Sequence, residues 1–215
     1  MCSHYEAPAP HRVAETFDVE PFKQGKLELY PGYIGPFIRR VEHVDAESPA
    51  PVEALSGSFG LIPTWSKDTK IVRSTYNCRS ETASQKPSFR TAWRKAQHCI
   101  IPAAAIYEPD WRSGKSIATR ITRADDELLG IAGLWEQWRD PGTGKILHSY
   151  TMLTINADDH PFMRNYHKPQ DEKRMVVILP KGLYGDWLKA PAGDSMEFMR
   201  PYPADRMAVA SPWTN

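Results

Sequence analysis

Five short apolar runs rich in β-branched and aromatic residues dominate the middle of the chain: Cys99 to Tyr107, Ser116 to Thr122, Leu128 to Trp138, Leu147 to Ile155 and Arg174 to Leu179. Their composition suits a pleated, largely buried surface, so each is expected to be a strand. Between the third and fourth stands Asp140-Pro141-Gly142-Thr143-Gly144-Lys145, a turn cluster that should join them as an antiparallel hairpin. Helix is the minority element. The clearest helix starts after Pro87, with Ser88 as cap, Phe89, Trp93 and Ala96 on the inner face and Arg90, Arg94 and Lys95 on the outer one. A second is expected from Lys181 to Lys189, with Leu183, Trp187 and Leu188 inward. Asp45 to Val52, which contains Pro49 and Pro51, reads as a surface loop. Strands joined largely by hairpins, with helices laid outside, predict an α+β fold: a mainly antiparallel, β-barrel-like sheet with a few flanking helices. The 215 residues suffice for one substantial core, so a single domain over 1–215 is expected.

No run approaches the roughly 18 apolar residues that cross a bilayer. The opening Met1-Cys2-Ser3-His4-Tyr5 lacks a charged segment leading into an apolar one. A soluble, unexported protein without a membrane partner is therefore expected, cytoplasmic and nucleoid-associated if bacterial. The three cysteines, Cys2, Cys78 and Cys99, are odd in number and lack the spacing of a zinc knuckle or redox motif, so reduced thiols and no metal or other cofactor are expected. A net charge of +1 argues against polyanion binding through the global field, yet the charge is uneven. Residues 1–60 carry 5 basic and 9 acidic side chains, whereas residues 61–98 carry 8 and 2. That basic stretch reads either as a solvated face or as a phosphate-binding track.

Cys2 carries the most distinctive chemistry. Removal of Met1 is sterically easy ahead of a small side chain, and it would leave an α-amine and a thiol on one residue. With reference pKa values of about 8 and about 8.5, each is partly nucleophilic near neutrality. Such a 1,2-aminothiol can capture an aldehyde twice, first as an imine on nitrogen and then through sulfur, closing a five-membered thiazolidine.

Further motifs give that chemistry a setting. Phe59-Gly60-Leu61-Ile62-Pro63-Thr64-Trp65-Ser66-Lys67-Asp68, Asn77-Cys78-Arg79-Ser80-Glu81-Thr82 and Lys86-Pro87-Ser88-Phe89-Arg90 are followed by Cys99-Ile100-Ile101-Pro102-Ala103, Tyr107-Glu108, Ala132-Gly133-Leu134-Trp135-Glu136 and Thr151-Met152-Leu153-Thr154. In this order they resemble the SOS-response-associated peptidase family, from Cys2 to about Ser211. The resemblance implies a sensor of abasic sites in single-stranded DNA, which crosslinks to the ring-opened sugar through its N-terminal cysteine; a monomer is expected. It assigns Cys2 as nucleophile, Asn77 and Arg79 to frame the pocket and hold phosphate, Glu108 as acid–base carboxylate and His167 as the matching imidazole. The family name records self-removal of Met1; strand cleavage by β-elimination is left open.

These assignments also make chemical sense. Opening the sugar hemiacetal needs a proton at the ring oxygen, which an imidazole can supply. Glu108, near the end of a strand, can accept a proton from the α-amine, although it is equally placed to be a salt-bridge partner. Asn77 stands between a pocket amide and an Asx-type turn. Arg79 and Arg90 can grip phosphates, while Trp65, in a loop after Pro63, is the better base-stacking tryptophan and Trp93 the better core residue. The chain departs from the family pattern at Ser3 and His4, where Gly-Arg is usual, and at Cys78. The family's His-x-Arg-Met-Pro is stretched here from His167 to Arg174-Met175, leaving His160 as an alternative imidazole. Two rival readings stay open: an N-terminal-nucleophile amidohydrolase, and a single-strand binding module in which Cys2 is dispensable.

Overall fold

The structure, a computed structural model, describes residues 2–20, 22, 25–41 and 52–210; Met1 and the expected loop over 45–51 lie outside the described residues. Thirteen strands are described: β1 (Tyr5–Glu6), β2 (Glu28–Leu29), β3 (Ile34–Arg40), β4 (Val52–Phe59), β5 (Asn77–Arg79), β6 (His98–Ala103), β7 (Ala105–Asp110), β8 (Ile117–Arg123), β9 (Leu129–Arg139), β10 (Ile146–Asn156), β11 (Arg174–Val176), β12 (Ile178–Leu179) and β13 (Met207–Val209). The helices are α1 (Pro10–Phe17), α2 (Val72–Thr75), α3 (Ser80–Ala83), α4 (Arg90–Arg94) and α5 (Tyr184–Lys189). None is long and apolar enough to cross a membrane.

Strands β10, β4, β3, β6 and β9 pair in that order, and β9 pairs back onto β10, closing a five-stranded barrel. Closure leaves these strands without free edges. Only β4 runs parallel to its neighbour β10; the other barrel pairings are antiparallel. A second antiparallel sheet, β13-β8-β7-β1-β2, packs beside the barrel, and one hydrophobic core joins the two. The mainly antiparallel barrel with a few helices is thus the architecture expected from the sequence. The hairpin between β9 and β10 also forms where the turn residues place it. Asp140 accepts the backbone N–H groups of Gly142 and Thr143 through its side chain, and Gly144 takes the left-handed φ of 72° that closes the turn.

Other expectations are corrected. The run Cys99 to Tyr107 is not one strand: it breaks at Ala104, whose N–H donates to Glu6, so that β6 belongs to the barrel and β7 to the second sheet. Ser88 does not cap the helix after Pro87. Phe89 occupies the cap position without a side-chain capping bond, and the helix is short because Ala96 turns left-handed at φ 49°. Trp93 is buried as expected. The segment from Lys181 begins as a 3₁₀ turn, and Leu183 is exposed while Trp187 and Leu188 face inward.

The seam between barrel and second sheet is polar at one point. The buried hydroxyls of Tyr5 on β1 and Tyr150 on β10 share a 2.5 Å hydrogen bond. Gly35 on β3 makes this approach possible, because a Cβ there would overlap Leu29 and both tyrosine hydroxyls. Gly35→Ala should therefore lower unfolding free energy by about 1–3 kcal/mol, the usual range for overpacking. Denaturant titration checks this, and an unchanged midpoint would show that the seam can yield.

Candidate functional site

Three elements converge beside this seam. Pairing of β1 with β7 sets Tyr5 opposite Ile106 and Glu6 opposite Ala105, and the Tyr107 N–H donates to the His4 carbonyl at 3.0 Å. The chain ahead of β1 is thereby laid along β7, which brings Cys2 to Glu108. Glu6 fixes the arrangement from the other side through a 2.9 Å ion pair with Arg120 on β8.

Cys2 is buried, its thiol donating to the His4 carbonyl at 3.4 Å. Asn77 Nδ2 donates to the Cys2 carbonyl at 2.6 Å, holding its backbone from β5. The Asn77 amide is thus bonded to the Cys2 backbone, 75 residues away. Asn77 Oδ1 is buried and has no hydrogen-bond partner among the described residues.

Glu108 is buried on β7, where burial pushes its pKa up to about 7, against the pull of hydrogen bonding from Cys2. Burial, then the Glu108 charge, drives the Cys2 thiol upward, so the thiol holds its proton near neutrality. Tyr76, which precedes Asn77, is pushed up by burial and then by Cys2 and Glu108.

His167 lies 3.6 Å from Glu108, Nε2 to Oε2. Its backbone N–H donates to Pro109 next to Glu108, and its φ of 67° is left-handed, a strained conformation for a non-glycine residue. Nε2 also sits 3.0 Å from the Arg174 carbonyl, which can only accept, so this nitrogen carries the hydrogen. Burial holds the imidazole below its ordinary pKa, so it is neutral at pH 7 and its contact with Glu108 is not an ion pair there. His160, the alternative imidazole, is used structurally. Its Nδ1 accepts the N–H groups of Phe162 and Met163, and its Nε2 donates to Tyr202 at 2.7 Å.

Arg79 follows Asn77 by two residues on β5 and shares its face, while Cys78 between them points into the core. Arg79 is ion-paired with Glu172 at 2.7 Å. Glu172 also binds Arg174, whose buried guanidinium forms a two-pronged pair with Glu81 and a 2.9 Å bond to the Thr154 carbonyl. Sequence reasoning did not single out Arg174 in a site role, although its carbonyl orients His167. Its partner Glu81 lies 93 residues away, so no local pattern marks the pair.

Trp65 and Arg90 are both exposed. Trp65 is 55% exposed, and its indole N–H donates to Pro87, three residues before Arg90 opens α4.

The closed barrel and its flanking sheet bring a second-residue cysteine against a buried carboxylate. The chain belongs to the SOS response associated peptidase (SRAP) family, whose model matches residues 1–211. Abasic site processing protein YoqW of Bacillus subtilis is 37% identical over 153 residues, 69% of this chain and 64% of that one. Abasic site processing protein HMCES of Gallus gallus is 27% identical over 193 residues, spanning 78% of this chain and 55% of that protein. A solved structure from Bordetella bronchiseptica, 51% identical, superposes with a TM-score of 0.88 over 99% of this chain and 100% of the other. One from Bacteroides thetaiotaomicron, at 21% identity, shares the fold with a TM-score of 0.77 over 97% of this chain and 90% of that one.

The Glu108 environment has a consequence for stability. With a native pKa near 7 against an ordinary 4.5, the folded state holds more protons than the unfolded chain in that window. Stability from this group is therefore full below pH 4.5 and is lost as pH rises through 7, by on the order of 3 kcal/mol. His167 acts in the opposite sense, costing stability as pH falls below 6.5. The difference between wild type and Glu108→Gln isolates the carboxylate: the variant should gain relative stability from pH 5 to pH 8 in paired denaturant titrations. A pH-independent difference would contradict the raised pKa.

Proposed function

We propose that the protein processes abasic sites in single-stranded DNA by condensing both nucleophiles of Cys2, once Met1 has been removed, with the ring-opened sugar aldehyde. The curated relatives' shared name supports the substrate class. The observation that carries the covalent reading is Cys2 buried on Glu108 with its carbonyl gripped by Asn77. A passive binding surface has no use for a cysteine sequestered beside a carboxylate.

The α-amine adds to the aldehyde carbon to give a carbinolamine, which loses water as the C=N bond forms. Sulfur then adds to the same carbon, its proton passing to nitrogen, and the thiazolidine closes with one water released overall. Glu108, titrating near neutrality, is matched to take the proton from the attacking amine and return it to the departing oxygen. His167, 3.6 Å away, provides the second proton-carrying group for opening the sugar ring. Asn77 fixes the Cys2 backbone so that both nucleophiles reach one carbon. Arg79 and Arg90 engage phosphates, and Trp65 stacks on a base. An unpaired strand is favoured because no opposing strand holds the baseless sugar in a stack.

The experiment is adduct formation with abasic single-stranded DNA, read by denaturing gel after heating. A heat- and SDS-stable adduct is expected. Turnover of an amide without an adduct would favour the amidohydrolase, and tight binding by the Cys2 protein with no stable adduct would favour the plain binding module. Glu108→Gln and His167→Ala should each slow adduct formation by about 10²–10⁴-fold without abolishing it. Time courses unaffected by His167→Ala but slowed by His160→Ala would reverse the imidazole assignment.

Arg79→Ala and Arg90→Ala should each weaken binding and reduce the slope of log affinity against log salt by about 0.7. Slopes equal to the wild type would leave the basic stretch as a solvated face.

A further inference from the structure

Glu172 stands between two guanidinium groups of unequal freedom. Its Oε1 accepts from Arg174 Nη1 at 2.8 Å, and its Oε2 lies 2.7 Å from Arg79 Nη1. The Arg174 side chain is 3% exposed and is also held by Glu81 and Thr154, whereas that of Arg79 is 49% exposed. Glu172 is itself located by its surroundings. Asn156 Nδ2 donates to Oε1 at 3.2 Å, and the N–H of the next residue, Lys173, donates to Asp158 at 2.8 Å. The carboxylate is thus anchored on the buried arginine and presented to the exposed one.

A carboxylate and a phosphate oxygen satisfy the same guanidinium donors. We propose that Glu172 is a resident anion competing with DNA phosphate for Arg79, and so determines which strands engage the site. This rests on the reading of Arg79 as a phosphate contact. The half-exposed pair with Arg79 is the weak one and opens, while the pair with buried Arg174 persists. Glu172 then remains beside the incoming phosphate as a like charge. Only a strand that places a phosphate squarely on Arg79 compensates for both the exchange and the repulsion; anions that merely approach the basic stretch do not.

The test is equilibrium binding of an oligonucleotide carrying a tetrahydrofuran abasic analogue, by fluorescence anisotropy at low salt, in a Cys2→Ala background that cannot react. Glu172→Gln keeps the shape and removes the charge, and should tighten binding about two- to fivefold when Arg79 is present. In Arg79→Ala the gain should be much smaller. Glu81→Gln, which loosens Arg174 without touching Arg79, should give no gain. The inference is overturned if Glu172→Gln leaves binding unchanged or weaker, if the same gain appears in Arg79→Ala, or if Glu81→Gln reproduces it. Stable adduct formation by the Cys2 protein together with any of these results removes the competitor role alone. Absence of both binding and adduct removes the functional reading as well.

Discussion

The pairing of β1 with β7 is the contact on which the site depends. A two-residue strand has no stability of its own. It is held because Tyr5 is wholly buried and hydrogen-bonded to Tyr150 across the seam, and because Glu6 is tied to Arg120 on the far side of β7. Those anchors belong to the core, so the three residues ahead of β1 inherit the barrel's rigidity. A residue three places from a strand would ordinarily be a frayed terminus. Here the thiol of Cys2 is buried and its carbonyl is gripped by Asn77.

The surrounding electrostatics follow from burial more than from charge pairing. Desolvation raises Glu108 to about 7, keeps the Cys2 thiol protonated and keeps His167 neutral. Burial thus disfavours the charged form of all three groups, and leaves Glu108 able to gain or lose its proton near neutrality. The charged groups are gathered one layer out, where Arg174 binds Glu81 and Glu172 and offers its backbone carbonyl to His167. Orientation of the imidazole and placement of the charge next to Arg79 thus depend on one buried arginine.

The middle of the chain was legible because β-branched runs and the Asp140 to Lys145 turn speak for themselves locally. The break at Ala104 was not, since Ala103-Ala104-Ala105 contains no breaker and the Ala104 N–H finds its acceptor on Glu6, far away in sequence. Strands β3 and β4 were missed for the opposite reason. Ile34-Gly35-Pro36 and Ser56-Gly57-Ser58 resemble turns in composition, yet Gly35 and Gly57 are strand residues because aromatic side chains pack where a Cβ would stand. At the candidate site, motifs alone point to Cys2, Asn77, Glu108 and His167, and these four are neighbours in the structure. Glu172 and Arg174 matter through partners far away in sequence, and no spacing rule marks such pairs.

The central claim is that Cys2 acts through its amine and its thiol together, and the most direct measurement is intact-mass analysis of protein incubated with abasic single-stranded DNA, comparing a form that has lost Met1 with one that keeps it. In the retained form the nitrogen is an amide whose lone pair is delocalised, and it cannot condense with an aldehyde. The prediction is a stable adduct, at the summed mass less one water, only for the form beginning at Cys2. A stable adduct of equal yield on protein that still carries Met1 would contradict it.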